Sequence, residues 1–211
     1  MMARIVIADD HAVVRKGLRQ IIAEAGEHNV VGEAASSGEL LTLLRSRPVD
    51  LVVLDLALGD QDGLSLIKQV KSEFPRLPIL VLSMHREEVY APHALRAGAS
   101  GYVQKAGPPE MFLDALRQIA AGRTYISPAM AQHLTAGMVR GGPSSLPHER
   151  LSEREFEVLR LLGVGKSVTE IAHGLNLSVK TVSTHRTHIL SKMGFHTNAE
   201  IVEYVAAHGL R

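Results

Sequence analysis

Short apolar runs alternate with helical patterns through the first half of the chain, and this alternation constrains the fold more than any other feature. The runs, which we expect to form strands, are residues 4–8, 30–34, 51–54, 79–83 and 101–104. The predicted helices between and after them are residues 13–25, 38–45, 64–74, 87–97 and 109–121. Such alternation favours repeated β-α-β units around a parallel sheet with both faces covered.

A second region follows a break in periodicity. Two glycines, two prolines and two serines fall within residues 139–150, a composition typical of a linker. Beyond it, Ser152 with Glu155 and Ser167 with Glu170 match the capping box that begins a helix. We therefore predict a first domain over 1–123, a linker with a candidate helix over 124–148 and a small all-helical domain over 149–211.

Composition limits which partners the protein can bind and in which compartment we expect it. The 211 residues carry a net charge of +1, so any surface for nucleic acid must be local rather than global. The chain has no cysteine, which excludes disulfides and thiolate zinc sites. The N-terminus has no leader-like pattern, and no apolar run reaches the roughly 18 residues of a membrane span. We predict a cytoplasmic protein without a membrane partner.

Polar side chains lie at the carboxyl ends of four of the predicted strands, which is the edge where open parallel sheets bind ligands. They are Asp9, Asp10, Asp55, Ser83 and Lys105. Three clustered carboxylates stay ionised together only beside a strong cation, and oxygen ligands indicate Mg²⁺. Each residue alone is more typical of a turn or of solvated surface, but the combination favours phosphoryl chemistry.

The same residues can divide that chemistry among themselves. With Mg²⁺ present, one carboxylate can attack phosphorus while the Lys105 ammonium neutralises the incoming oxygens. The Ser83 hydroxyl can then turn toward the attached phosphoryl group, and Tyr102 can change its packing in response. A nucleophile, a counter-ion and a two-residue switch are thus predicted at one edge of the sheet.

Four segments resemble the receiver domain of two-component response regulators: "IADDH", "VVLDLALGDQDGL", "VLSMH" and "ALRAGASGYVQK", over residues 3–121. The resemblance implies a doubly wound, five-stranded parallel sheet of order 2-1-3-4-5. It implies that Asp55 accepts a phosphoryl group from a sensor histidine kinase. The metal ligands that it implies are Asp9, Asp10, Asp55 and the backbone carbonyl of Ala57. Ser83, Tyr102 and Lys105 fall on the family's hydroxyl, aromatic and lysine positions.

Two residues depart from the family pattern. Gly59 stands where family members usually carry proline, so the loop after the acceptor is expected to be looser. Pro92 lies near the first turns of the fourth predicted helix and is expected to shorten or kink it unless the helix starts just before.

A segment without acidic residues, 171–199, lies in the second domain and contains Lys180, Arg186 and Lys192. It is predicted to form a helix, a turn at 175–177 and a second helix capped by Ser178. The positions expected to face the core are Val182, Ile189 and Met193. The opposite face carries Lys180, Ser183, Thr184, Thr187 and His188. Such a face suits the DNA major groove, although any amphipathic helix also has a solvated side.

Residues 151–207 resemble the LuxR-type helix-turn-helix of the NarL/FixJ class of regulators. The resemblance implies that residues 179–192 form the recognition helix, with Ser183, Thr184 and Thr187 toward bases. The residues placed nearer to phosphates are Lys180, Arg186 and His188, and Lys192 completes the predicted DNA-binding set. Ser183 replaces a lysine that is common there, which predicts a shallower salt dependence. The last helix, 198–208, carries apolar residues for the core or for a dimer interface: Ile201, Val202, Tyr204 and Val205.

These observations predict a sequence-specific transcription regulator controlled by phosphorylation, and not an enzyme. The predicted partners are a sensor histidine kinase, double-stranded promoter DNA, RNA polymerase and a second copy of the chain. Phosphorylation can act by receiver dimerisation or by release of the DNA-binding domain, and both remain open. One alternative is a regulator that ignores phosphorylation and uses its receiver as an interaction module. Another is a metal-dependent phosphohydrolase, which needs a second aspartate where Ala57 stands.

Overall fold

The computed structural model describes residues 2–58, 63–132 and 146–210. The chain divides into two compact units, Met1–Gln132 and His133–Arg211. Gly59 lies outside the described residues, as do residues 133–145, which hold much of the predicted linker and of its candidate helix. Residues 128–132 are helical and belong to the first unit.

The first unit is a three-layer α/β structure around one parallel sheet. Its strands are β1 (Arg4–Ala8), β2 (Asn29–Ala34), β3 (Leu51–Leu54), β4 (Ile79–Ser83) and β5 (Gly101–Gln104). Its helices are α1 (Ala12–Ala25), α2 (Ser37–Ser46), α3 (Gly63–Glu73), α4 (Glu87–Ala97) and α5 (Pro109–Ala120). The strands run parallel in the order β2-β1-β3-β4-β5. The predicted fold class and strand order are confirmed.

Both faces of the sheet are buried, because successive residues of a strand point to opposite sides. One face joins the core formed with α1 and α5, and its strand residues are Ile5, Ile7, Leu51, Val53, Leu80, Leu82 and Val103. The alternate residues are also buried, namely Val6, Ala8, Val52, Leu54, Ile79, Val81 and Tyr102. The continuous apolar runs of β3 and β4 therefore reflect two cores, one on each side of the sheet.

Helix α4 runs through Pro92 instead of ending near it. The helix begins at Glu87 and ends at Ala97, as the helical pattern predicts, so Pro92 does not shorten it. Proline removes one hydrogen bond, the one that its amide would donate to the Glu88 carbonyl. Burial of Val89 and Tyr90 before the proline and of Ala94 after it holds both halves of the helix in place.

Among the described residues of the second unit, all regular elements are helices. A 3₁₀ turn, Pro147–Arg150, precedes α6 (Glu153–Gly163), α7 (Val168–Gly174), α8 (Val179–Met193) and α9 (Asn198–Ala207). Both predicted capping boxes are present, with the Ser152 and Ser167 hydroxyls accepting from the amides of Glu155 and Glu170. Ser178 caps α8 as predicted, and Thr197 with Glu200 forms a third capping box that was not predicted.

Residues of α8 and α9 meet the core of this unit. Val182 and Ile189 have no exposed surface and Met193 is 7% exposed, so their predicted inward orientation is confirmed. In α9, Ile201 and Val205 are fully buried. Val202 is 40% exposed and therefore lies outside this core.

A buried histidine makes the stability of this unit depend on pH. His148 has no exposed surface, and its Nδ1 lies 2.8 Å from the Tyr204 hydroxyl. Its ring lies 6.0 Å from the His208 ring, measured between centroids. Burial, with a smaller contribution from the charge of His208, lowers the pKa of His148 to about 4. The folded unit therefore favours the neutral form of the His148 ring.

We expect the unfolding free energy of this unit to fall by about 2 kcal/mol from about pH 7.5 to about pH 5. The folded pKa of His148 lies below that of the unfolded chain, so its stabilisation is complete above the unfolded pKa. That stabilisation is lost as the pH falls toward about 4. Chemical denaturation of the wild type and of His148→Phe at both pH values measures it. An equal pH dependence in the two proteins would contradict the assignment.

Candidate functional site

The strand register brings the predicted polar residues to one edge of the sheet. Ala8 of β1 pairs with Leu54 of β3, and the Asp55 amide donates to the Ala8 carbonyl at 2.8 Å. On the other side, the Lys105 amide donates to the Ser83 carbonyl at 2.9 Å. The carboxyl ends of neighbouring parallel strands therefore place the residues that follow them side by side.

Two buried carboxylates share one cation at this edge. Asp9 is 2% exposed and Asp55 is 3% exposed. The Lys105 Nζ atom lies 2.6 Å from Asp9 Oδ2 and 2.6 Å from Asp55 Oδ2. Burial opposes the charge of the lysine, but the hydrogen bonds and charges of Asp55 and Asp9 outweigh it and raise the pKa of Lys105. The ammonium is thus held charged between the two acids.

Backbone amides hold the other oxygen of each carboxylate. The His11 amide donates to Asp9 Oδ1 at 2.8 Å, and the Ala57 amide donates to Asp55 Oδ1 at 3.2 Å. Asp55 therefore faces the edge of the sheet with both oxygens oriented by donors. A carboxylate held in this way needs little reorganisation before it reacts.

The acidic residues fit a divalent cation. Ligand atoms of Asp9, Asp10, His11 and Asp55 all lie within 4.8 Å of one another. Asp9 Oδ2 is buried, and the Lys105 ammonium lies 2.6 Å from it. Carboxylate oxygens at this spacing suit a hard cation such as Mg²⁺.

His11 was not assigned a role from the sequence, although it directly follows the two aspartates. Its Nδ1 lies 2.5 Å from Asp10 Oδ1 and 3.4 Å from Asp9 Oδ1. Asp10 is the more exposed of the two acids, so this contact with His11 restrains it. Its place directly after the aspartate pair was the only signal in the sequence.

The predicted switch residues form a second group next to the carboxylates. Ser83 has no exposed surface, and its hydroxyl accepts from the His85 amide at 3.3 Å. Tyr102 is 1% exposed and donates from its hydroxyl to the His85 carbonyl at 2.9 Å. The His85 ring stacks on that of Tyr90 with a centroid separation of 4.3 Å. The loop 83–86 is therefore held by residues from β4, β5 and α4.

The predicted DNA-contacting face of α8 points to solvent. Its exposed residues are Lys180, Ser183, Thr184, Thr187 and His188. The Thr184 and Thr187 hydroxyls donate to the carbonyls of Lys180 and Ser183, each at 3.0 Å. Donation to the backbone fixes both threonine rotamers and leaves their methyl groups and acceptor lone pairs for a ligand.

Three of the predicted contacts have partners within the protein. Arg186 donates from Nε to Asn198 Oδ1 at 2.6 Å. The Lys192 Nζ atom lies 2.7 Å from Glu155 Oε2, and His188 Nδ1 lies 3.6 Å from Glu155 Oε1. Glu155 is 3% exposed, so Lys192 balances a buried charge of α6. Lys192 thus stabilises the packing of α8 on α6.

An acidic pocket like that of a receiver and a helix-turn-helix unit in one chain define a two-domain regulator. Comparison with known proteins agrees with this assignment. The family model of response regulator receiver domains matches residues 5–117. The family model of bacterial regulatory proteins of the luxR family matches residues 149–205. The chain belongs to the NarL/FixJ class of two-component response regulators. Members of this family are DNA-binding regulators and not enzymes.

Curated relatives match along the whole chain. The oxygen regulatory protein NreC of Staphylococcus carnosus strain TM300 is 38% identical over 207 residues, which cover 95% of each chain. The response regulator UvrY of Escherichia coli strain K12 is 31% identical over 209 residues, which cover 99% of this chain and 96% of UvrY.

Solved structures of RcsB are also similar. RcsB from Salmonella enterica serovar Typhimurium, bound to promoter P1flhDC with the phosphomimetic BeF₃⁻, has 32% identity and a TM-score of 0.79 and covers 98% of this chain and all of that RcsB chain. Another shows two RcsB dimers bound to two parallel DNAs, with 31% identity and a TM-score of 0.63; it covers 98% of this chain and 99% of RcsB. Among the described residues, no helix is both long and apolar enough to cross a membrane.

Proposed function

We propose that the protein is a transcription regulator whose receiver accepts a phosphoryl group on Asp55 and thereby controls sequence-specific DNA binding. The observation that carries the proposal is the Asp55 carboxylate, buried beside Asp9 and held 2.6 Å from the Lys105 ammonium. A strand-end carboxylate in this setting serves as a nucleophile toward phosphorus. Membership in a family that joins a receiver to a helix-turn-helix supports phosphorylation-dependent control of the attached domain.

The transfer exchanges one bond to phosphorus for another. A carboxylate oxygen of Asp55 forms the new P–O bond, and the bond from phosphorus to the donor nitrogen of a kinase phosphohistidine breaks. The leaving imidazole keeps the electron pair and takes up a proton from solvent. Lys105 lies within reach of an oxygen on Asp55 and would neutralise the phosphoryl oxygens as they arrive.

The proposal includes Mg²⁺ as the cofactor. Asp9, Asp10 and Asp55 would hold it together with the backbone carbonyl of Ala57, and their clustered oxygens fit that ion. When bound, Mg²⁺ supplies positive charge that offsets the repulsion between the acids and the incoming phosphoryl oxygens. His11 would keep Asp10 in place through its contact at 2.5 Å.

Ser83 and Tyr102 form the proposed switch. The Ser83 hydroxyl would leave the His85 amide and donate to the new phosphoryl group, which carries three strong acceptors. The Tyr102 hydroxyl, now bound to the His85 carbonyl, would follow the loop. Phosphorylation then shifts an equilibrium between two positions of residues 83–86.

Helix α8 is the proposed DNA reader. Ser183, Thr184 and Thr187 share its exposed face and would meet base edges in the major groove, with Lys180 toward a phosphate. The RcsB structures, solved on promoter DNA, support this use of the matching domain. The target lies in the cytoplasm, where we also expect a sensor histidine kinase and RNA polymerase to act as partners.

A second copy of the chain is the remaining proposed partner. Val202 on α9 is 40% exposed, whereas its neighbours Ile201 and Val205 are buried. An exposed valine beside a buried stripe can meet the same residue across a two-fold axis. The RcsB dimers on DNA support this arrangement.

Lys180→Ala is expected to weaken DNA binding and to lower its salt dependence. Lys180 is exposed and forms no ion pair with a described residue, so its ammonium is available to a phosphate. Loss of one phosphate contact should make the slope of log affinity against log salt shallower by about 0.9. Titration of a promoter fragment at several salt concentrations measures the slope.

The matched control is Lys16→Ala, which removes an exposed lysine from α1 of the first unit. Its slope should equal that of the wild type. Lys192→Ala is not a suitable control, because it leaves Glu155 buried without its counter-ion. An unchanged slope for Lys180→Ala would rule out a phosphate contact at this position.

Direct measurements distinguish the proposed function from two alternative functions. A phosphohydrolase would need an acid or base at Ala57, whose side chain cannot transfer a proton; sustained turnover of small phosphate esters would support it. A regulator that ignores phosphorylation would bind DNA equally with and without BeF₃⁻ and Mg²⁺. We expect tighter binding with them.

A further inference from the structure

A buried hydrogen bond joins the first residue of α4 to the chain segment that leads out of the receiver. The Ser127 hydroxyl donates to Glu87 Oε2 at 2.7 Å. Ser127 is 1% exposed and Glu87 is 8% exposed. The two residues are 40 positions apart, so the contact exists only in the folded unit.

Glu87 directly follows the proposed switch loop. The loop 83–86 ends at Arg86, the N-cap of α4, and Glu87 is the first helical residue. Tyr102 of β5 also contacts this loop, because its hydroxyl donates to the His85 carbonyl. Burial raises the pKa of Tyr102; a hydrogen bond with Ser83 opposes that rise, and the charges of Tyr90, Glu87 and Asp55 add to it.

Ser127 also begins the helical stretch 128–132. Its hydroxyl accepts from the Met130 amide at 3.1 Å, and its carbonyl accepts from the Ala131 amide at 2.9 Å. The serine therefore acts as a helix N-cap while its own proton goes to Glu87. A movement of Glu87 would change the cap and the position of the first turn.

The segment before this turn is fixed to the sheet. The Tyr125 amide donates to the Ser100 carbonyl at 2.9 Å, and Tyr125 forms an isolated bridge with Gly101. Tyr125 and Met130 are 3% and 1% exposed, so both sides of Ser127 are anchored in the receiver. Because the segment on both sides of Ser127 is anchored, we expect a displacement of Glu87 to move Ser127 as well.

Burial makes this contact sensitive to loss of either partner. Burial raises the pKa of Glu87, and the hydrogen bonds from Ser127 oppose that rise. Without Ser127 the carboxyl group would keep its burial and lose its donors, a costly state for a polar group. The pair is thus a unit with one favoured geometry.

We propose that the Glu87–Ser127 hydrogen bond transmits the state of the loop 83–86 to the helical turn 128–132 and so to the connection with the DNA-binding unit. Movement of Ser83 toward a phosphoryl group displaces the start of α4, and Glu87 carries Ser127 with it. The inference rests on the proposed function, because it requires that Asp55 be phosphorylated. It adds Glu87 and Ser127 as the residues through which phosphorylation of Asp55 would alter the end of the receiver.

The test uses the full chain with acetyl phosphate and Mg²⁺. Label on Asp55 is measured by mass spectrometry, deuterium uptake is measured across residues 125–132, and promoter affinity is measured with and without the donor. In the wild type we expect the donor to change uptake in 125–132 and to tighten DNA binding. In Ser127→Ala we expect normal label, uptake that ignores the donor and a stimulation of DNA binding reduced about fivefold or more.

Ser36→Ala is the matched control. Ser36 caps α2 by accepting from the Glu39 amide, so its loss removes a cap of the same type without a partner like Glu87. This variant should respond to the donor as the wild type does. Glu87→Gln keeps an acceptor for the Ser127 hydroxyl and should retain most of the response, whereas Glu87→Ala should lose it.

The outcomes separate the two proposals. Normal label on Asp55 in Ser127→Ala with full stimulation of DNA binding would overturn the inference and leave the proposed function standing. Unchanged uptake across 125–132 in the labelled wild type would do the same. Absence of label on Asp55 in the wild type would overturn the proposed function and the inference with it.

Discussion

Replacing Asp55 with asparagine abolishes phosphoryl transfer to the chain and, with it, the response of DNA binding to the donor. The amide keeps the shape of the side chain but has no anionic oxygen to attack phosphorus. Asp9 remains as a counter-ion for Lys105, so we expect the fold to persist. Incubation with acetyl phosphate and Mg²⁺, followed by mass spectrometry, measures the label.

Asp114→Asn provides the comparison, because Asp114 is an exposed carboxylate of the same unit, on α5. Its label should equal that of the wild type. Wild-type label persisting in Asp55→Asn would show that another residue is the acceptor.

Replacing Gly63 with alanine should destabilise the receiver by about 3 kcal/mol, near the upper end of overpacking effects. A Cβ atom at this position would lie 2.6 Å from the Leu56 carbonyl oxygen and would also contact the Leu56 backbone carbons. Backbone cannot turn aside as a side chain can, so the start of α3 and Leu56 must separate. Leu56 directly follows Asp55, and we therefore also expect slower phosphoryl transfer.

Gly17→Ala is the control for the same substitution in the same unit. Gly17 lies inside α1, and a Cβ atom there would meet no atom within 4 Å. This variant should be more stable than the wild type by about 0.5 to 1 kcal/mol, because alanine favours the helix. Denaturant unfolding of the first unit measures both variants, and equal stability of Gly63→Ala and wild type would refute the steric argument.

Local patterns in the sequence were sufficient for most elements. β1, β3, β4, β5 and α4 begin and end at the predicted residues. Strand periodicity, capping serines and turn residues act over a few positions, and their signals can therefore be seen without the fold. The acidic pocket was also predicted, because a parallel sheet brings the ends of its strands to one edge.

Pro92 shows where two local signals disagree. The helical pattern predicts a helix over 87–97, whereas the proline favours a shorter or kinked one. Helix α4 spans the full range, with buried residues on both sides of the proline. Tertiary packing outweighs the loss of one helical hydrogen bond. Burial depends on the whole unit, and a window of sequence does not contain it.

The pairing of polar residues was likewise decided by the tertiary structure. Lys192 meets Glu155 across 37 positions, and Ser127 meets Glu87 across 40. Nothing in the spacing of such residues distinguishes them from solvated side chains.

The sequence by itself determined the two kinds of domain, the residues of the acidic pocket and the exposed face of α8, since each depends on a periodicity or on strand ends. Only the tertiary structure decided which acids share Lys105, which cation of α8 balances a buried glutamate and how Ser127 reaches Glu87. The physical reason is that a hydrogen bond or an ion pair acts over about 3 Å, and only folding brings distant residues to that separation.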